Sequence, residues 1–245
     1  MKILAGQIAL EAKLFFRRKD ELFWNLAFPM FFMVLYGFIY GDTMWGDISA
    51  IEYMFPGLVV MALMVNGIMV NATLFVEERE KGIYRRLSLT PLKRHTIIGA
   101  QIIHRYMITL MQTILLLLVG VFGFGVTIEG NYFYFWLLLT FGSLCFLSIG
   151  FALATLIRST RSATPICLIV FFMLLFLGGI FFPSDVMPDF LKVISNILPS
   201  THLNDALRLV IIEGAGPGSV WKDLLIVGGW VVVSLGISIK FFRWE

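Results

Sequence analysis

MFPGLVVMALMVNGIMVNATLFVEEREKGIYRRLSLTPLKRH, residues 54–95, joins a charge-free apolar run directly to a cluster of nine charged side chains. The run from Met54 to Val76 has the length of a helix that crosses a bilayer. The cluster from Glu77 to His95 cannot lie in the hydrocarbon. At roughly 2.5–3.5 kcal/mol for each ionised residue at the bilayer centre, nine charges cost on the order of 25 kcal/mol. Its first part is compatible with a helix that continues the span. Glu77 and Lys81 form an i,i+4 pair in the favourable order, and Lys81 and Arg85 stack basic charge one turn on. Ile83 and Leu87 share a face with Tyr84 beside them, and Gly82, worth about 1 kcal/mol less than alanine in a helix, predicts a bend. Thr90 suits an N-cap and Pro91 the first helical position, so a second helix is expected through Lys93, Arg94 and Arg105 into the membrane.

The rest of the chain follows the same pattern. Of 245 residues, 59% are hydrophobic and 14% charged, with a mean hydropathy of +0.88. A soluble domain carries roughly 25% charged residues, so most of this chain is built for lipid. Charge-free length places six spans at about 22–41, 54–76, 106–126, 132–157, 163–182 and 220–242. The last is the least clean, with Lys222 and Asp223 near its start, where both can snorkel. The two cysteines, Cys145 and Cys167, lie inside spans and read as small apolar fillers. Residues 1–20 show no signal-peptide pattern. Ile3, Leu4, Ile8, Leu14 and Phe15 share a stripe, which predicts an amphipathic interfacial helix or a plain extension of the first span.

Basic residues set the expected orientation. With the N-terminus inside, 16 of the 19 Lys and Arg residues face the cytoplasm, leaving Lys192, Arg208 and Lys222 outside. Both termini are then cytoplasmic, in a plasma-membrane protein. The turn at 158–162 is short, whereas two segments are long: the inner one at 77–105 and the outer one at 183–219. In the outer one Phe190, Val193, Ile194 and Ile197 fall on one helical face and Leu203, Leu207 and Val210 on another, with Leu-Pro-Ser-Thr between. A pair of short helices broken at Pro199 is expected, dipping into the outer leaflet or lying along its surface.

A charge cluster beside a span fixes topology or touches anionic lipid in the ordinary case. Here Glu77, Glu78 and Glu80 repel acidic headgroups, so the mixture suits a protein surface better. The stretch resembles the E-R-E-K-G-x-x-x-x-L-x-x-T-P motif of the ABC type-2 permease family, the membrane halves of ATP-driven exporters. Leu198-Pro199-Ser200-Thr201 followed by Asp205-Ala206-Leu207-Arg208 is similar to that family's L-P-x-T/S and D-x-x-R segment after the fifth span. The resemblance covers nearly the whole chain and implies an all-α integral membrane fold forming a single permease domain over 1–245. Its parts are an amphipathic start (1–20), six spans, a cytosolic coupling segment (77–95) and an outer helical pair (183–219). It implies that two such chains, identical or paralogous, pair, and that each docks a separate cytosolic ATPase carrying ATP and Mg. By motif position Glu77, Glu78, Arg79, Glu80, Lys81 and Gly82 form the coupling element, continued by Arg85, Arg86 and Leu87. Residues 1–20 make the second ATPase contact, and Pro199, Thr201, Asp205 and Arg208 mark the outer pair.

Other chemistry is absent from the sequence. No G-x-x-x-x-G-K-[ST] cradles a nucleotide, and His95, His104 and His202 are scattered without a metal motif. Glu77-Glu78 starts a membrane-protease pattern, but Gly82 stands where its arginine belongs. An enzyme is not expected, and neither is a nucleic-acid partner; lipid and protein are. No acid or base sits mid-span, which argues against ion coupling and suits a hydrophobic or amphipathic cargo such as a drug, antibiotic or lipid. Asn66 and Gln112 either line a pathway or tie helices together. Phe171, Phe172, Phe176, Phe181 and Phe182 either pack against lipid or plug a dimer axis, and Pro29 and Gly178-Gly179 mark bends. Alternatives are the export of a lipid-linked polysaccharide and a docking scaffold that transports nothing.

Overall fold

A computed structural model describes residues 6, 12–41, 43–45, 48–88, 94–180 and 187–241. Most of the amphipathic start, Thr90, Pro91, Lys93, Phe181, Phe182 and the opening of the 183–219 segment lie outside these residues, as does the side chain of Leu87. Among the described residues six helices are long and apolar enough to cross a membrane: Lys19–Tyr40, Ala50–Glu80, Gly99–Gly123, Tyr132–Leu156, Thr160–Leu177 and Pro217–Phe241. These are the six expected spans, in the expected order.

Their ends follow from local chemistry. The second span opens with a capping box, in which the Ser49 hydroxyl accepts from the Glu52 amide and Glu52 accepts from the Ser49 amide, each at 3.2 Å. A short antiparallel pairing, Met44–Trp45 with Ile48–Ser49, leads into it. Asn131 caps the fourth span through its side-chain oxygen, which accepts from the Phe133 amide at 2.8 Å. The third helix is already formed at Arg94, as expected of a helix that runs through Arg94 and Arg105 into the membrane, and its apolar span opens at Gly99, earlier than the charge-free run at 106–126. Gln101 and Arg105 lie within this helix, and buried partners described below accommodate them. The fifth ends at Leu177, followed by a turn in which Gly179 takes a φ of +66°.

The second span is the axis of the bundle. Its apolar window is 89% buried, against 17–33% in the first, third, fifth and sixth spans. It meets the fourth span at Gly67 and Gly150, where a Cβ on either would run into the other helix's backbone. Only glycine permits this approach. The sixth span packs along the fourth. Outward faces remain apolar, with Phe38, Phe122, Val232 and Ile239 all strongly exposed. Such surfaces suit lipid or another membrane chain rather than water.

Candidate functional site

The second span runs without a break through Glu80, so the acidic half of the motif is the last turn of a central helix. Glu77 and Lys81 form the expected ion pair there. At Gly82, with φ +66°, the chain turns, and a short helix, Ile83–Ser88, follows. Because of that turn Lys81 and Arg85 do not stack on one continuous helix, contrary to the sequence expectation.

Glu78, Arg79 and Glu80 point to three different places. Glu78 is buried and accepts hydrogen bonds from Tyr84 at 2.9 Å, from Arg18 at 3.3 Å and from Gln101 at 3.3 Å. Gln101 also donates to the Tyr84 hydroxyl at 3.0 Å, and the Tyr84 ring packs on Phe75. Arg18 reaches Glu21 as well, at 3.7 Å, and Glu21 is ion-paired with Arg105. Burial alone would lower the Arg18 pKa, but the charge and hydrogen bond of Glu78, with Glu21 and Glu77, raise it above its ordinary value. One carboxylate thus joins the start of the first span, the loop helix and the third span.

Arg79 and Glu80 serve the turn between the fourth and fifth spans. Arg79 donates to the Ala154 carbonyl at 3.0 Å and to that of Ile157, the orphan acceptors where the fourth helix ends. Glu80 accepts from the Thr160 amide at 2.8 Å and from the Thr160 hydroxyl, at the start of the fifth helix. A base thus meets a helix C-terminus and an acid a helix N-terminus, each with the favourable sign for the helix dipole. Three consecutive motif residues therefore tie five of the six spans together at one end of the bundle.

On the surface of this end Glu80, Lys81, Arg85 and Arg86 are exposed. A cavity of about 570 Å³ opens beside them, between the first, second and fifth spans. Its walls combine charged groups, among them Arg17, Lys19, Asp20 and Glu77, with apolar Trp24, Met69 and Val70.

Deeper in the bundle, Asn66 is buried and donates to the Arg105 carbonyl at 2.9 Å and to the Thr109 hydroxyl at 2.6 Å, tying the second span to the third. Gln112, two turns along from Arg105, is equally buried, and its amide meets no protein partner among the described residues. Asn25 and Asn66 each sit in a π-helical turn, Phe23–Ala27 and Val65–Val70, and those turns pack on each other. The phenylalanine row divides. Phe171 is buried, while Phe172 and Phe176 are exposed and stacked with centroids 6.0 Å apart.

At the far end the short helices are Asp189–Ser195 and Pro199–Ile211, with Pro199 in the first turn of the second. They satisfy the frayed end of the fifth span: Ser195 donates to the Leu177 carbonyl at 2.7 Å, Ser200 to that of Leu174 at 3.0 Å and Asn204 to that of Gly179 at 3.0 Å. Thr201 donates to the Ser195 carbonyl at 2.7 Å, locking the two helices at their bend. Arg208 lies 3.7 Å from Asp205, with its guanidinium 4.0 Å from the Tyr53 ring centre. Leu203, Leu207 and Val210 face the core, whereas Phe190, Val193, Ile194 and Ile197 face outward.

Sequence reasoning passed over Glu21, Arg18, Gln101 and Arg105 as site residues. The available signal was an acid, Glu21, at the very start of one apolar run and a base, Arg105, at the start of another.

Residues 8–212 match the model of the ABC-2 type transporter family. The chain is 27% identical over 246 residues to the putative transport permease YvfS of Bacillus subtilis, covering 99% of this chain and 98% of that one. It is 27% identical to ABC transporter G family member 20 of Dictyostelium discoideum, over 80% of this chain but only 28% of the relative. It is 23% identical to the probable multidrug ABC transporter permease YbhS of Escherichia coli, over 79% of this chain and 52% of the relative. The chain thus spans about a quarter and a half of the latter two proteins. With six apolar helices and a match over most of its length, the chain belongs to the ABC-2 type transporter family, as a multi-pass membrane permease.

Proposed function

We propose that this permease exports a hydrophobic or amphipathic molecule, such as a drug, antibiotic or lipid, out of the cytoplasm. In this reading a separate ATPase, carrying ATP and Mg, docks on the end that bears residues 77–88, and a second permease chain completes the pathway. That end faces the cytosol, as do both termini, in keeping with the distribution of basic residues.

The observation that carries the reading is the division of labour within the motif. Glu78, Arg79 and Glu80 bind the ends of the first, third, fourth and fifth spans to the second. Lys81, Arg85 and Arg86 remain on the surface beside them. A push on the exposed side chains is transmitted to five spans without passing through a flexible linker. The mixed charged and apolar walls of the 570 Å³ cavity suit an amphipathic cargo.

The test is reconstitution of the chain and its ATPase in liposomes with a fluorescent amphipathic dye. ATP-dependent dye movement, with hydrolysis stimulated by the dye, is expected. Hydrolysis that ignores every hydrophobic cargo, with no dye movement, contradicts export and favours a docking scaffold.

A further inference from the structure

His202 lies in the first turn of the Pro199–Ile211 helix, at the end of the bundle opposite Glu78. Both of its ring nitrogens face acceptors. Nδ1 is 2.7 Å from Asp223 Oδ1 near the start of the sixth span, and Nε2 is 2.8 Å from the Asn196 carbonyl oxygen, just past the Asp189–Ser195 helix. A carbonyl oxygen has no proton to give. A neutral imidazole has one N–H and one lone pair, so either tautomer sets its lone pair against the carbonyl or against the carboxylate. The arrangement is satisfied only when imidazole and carboxylate together hold one further proton.

We propose that His202 and Asp223 form a proton-operated clasp that pins the bend between the two short helices to the sixth span. With the proton bound, three segments meet at one ring: residue 196, the Pro199–Ile211 helix and the sixth span. When the proton leaves to solvent, through an imidazole still 15% exposed, one of the two bonds becomes a lone-pair repulsion and the bend is freed from the span. A second tie nearby is the Trp230 indole, which donates to the Ile197 carbonyl at 2.8 Å.

The neighbouring charges favour this reading. Asp223 faces the ring from the sixth span, where the adjacent Lys222 places its ammonium 5.9 Å from the Trp221 ring centre. On its own helix Asp205 adds a second negative charge, tempered by Arg208 at 3.7 Å. On the preceding helix Lys192 lies 3.8 Å from Asp189. The hydrogen bond to Asp223 is the largest influence, and it holds the imidazole pKa above its ordinary value of 6.5 despite burial, helped by the Asn196 carbonyl and Asp205. The sign follows. A group whose pKa is raised by folding stabilises fully below its ordinary value, and that stabilisation is lost as pH rises through the raised one. The clasp depends on neither the cargo nor the direction of transport.

The experiment uses the full chain in lipid nanodiscs with isotope-labelled histidine, followed by NMR from about pH 5 to about pH 9. H202Q assigns the His202 signal by removing it. His202 is expected to titrate above the ordinary imidazole value, and D223N to bring its midpoint down. Hydrogen-exchange protection of amides 196–204 is expected to fall as pH passes the wild-type midpoint, and this pH dependence is lost in D223N. D205N leaves the clasp in place with a smaller downward shift, which covers the case in which D223N misfolds. A wild-type His202 that titrates at or below the ordinary value, or protection equal on both sides of its midpoint, overturns the proposal.

Discussion

Glu21, at the start of the first span, and Arg105, in the third, form a buried ion pair across 84 residues of sequence. The two side chains are only 4% and 8% exposed, so neither charge has water to fall back on. Arg18 lies within reach of Glu21 and passes the network on to Glu78. The Arg105 carbonyl meanwhile accepts from Asn66. The pair thus sits where the charged end of the bundle meets its apolar interior.

Removing one partner leaves the other charged and buried. R105M or E21Q alone is expected to destabilise the chain by about 3–5 kcal/mol, while the double variant recovers most of that loss. Unfolding midpoints in detergent, compared across the four proteins of this cycle, check it.

Arg79 and Glu80 act on helix ends rather than on the core. R79A and E80A are expected to insert normally but to raise hydrogen exchange at residues 154–163, the turn whose carbonyls and amide they satisfy. Exchange confined to residues 81–88 would contradict the assignment of these side chains to the fourth and fifth spans.

The six spans were legible because charge-free length is a strong signal that needs no partner. The helix leading into the third was legible too, from Thr90-Pro91 and the bases after it, but not what its buried polar residues touch. Gln101 and Arg105 carry no sign of their partners, because Glu78, Tyr84 and Glu21 reach them from segments distant in the chain. The motif stood out in the sequence, but its inward face was hidden for the same reason. Glu78, Arg79 and Glu80 look like a solvated charge run until the ends of spans one, three, four and five are placed around them. Gly82 signalled a bend correctly, and its positive φ shows why the charge ladder stops at Lys81.

Charge inversion at Glu78 probes the interior, not a partner's surface. E78K removes an acceptor for Arg18, Tyr84 and Gln101 and adds a cation beside Arg18. It is expected to lower the unfolding midpoint clearly, whereas R85E with R86E, at exposed positions, leaves it nearly unchanged. Equal midpoints for the two variants would show that Glu78 is not buried as described.

Orientation is open to cysteine labelling. Cys145 and Cys167 are fully buried and provide a silent background for a membrane-impermeant maleimide. K192C is expected to label in intact cells and R85C only after the membrane is opened. The reverse pattern would turn the molecule over and place the motif outside.

Whether residues 81–86 receive the force of an ATPase is decided by binding of the purified ATPase to the permease in nanodiscs. R85E with R86E is predicted to weaken binding at least about tenfold, or about 1.4 kcal/mol, with the unfolding midpoint preserved. Unchanged affinity in that variant, with its fold intact, would mean that the ATPase pushes elsewhere.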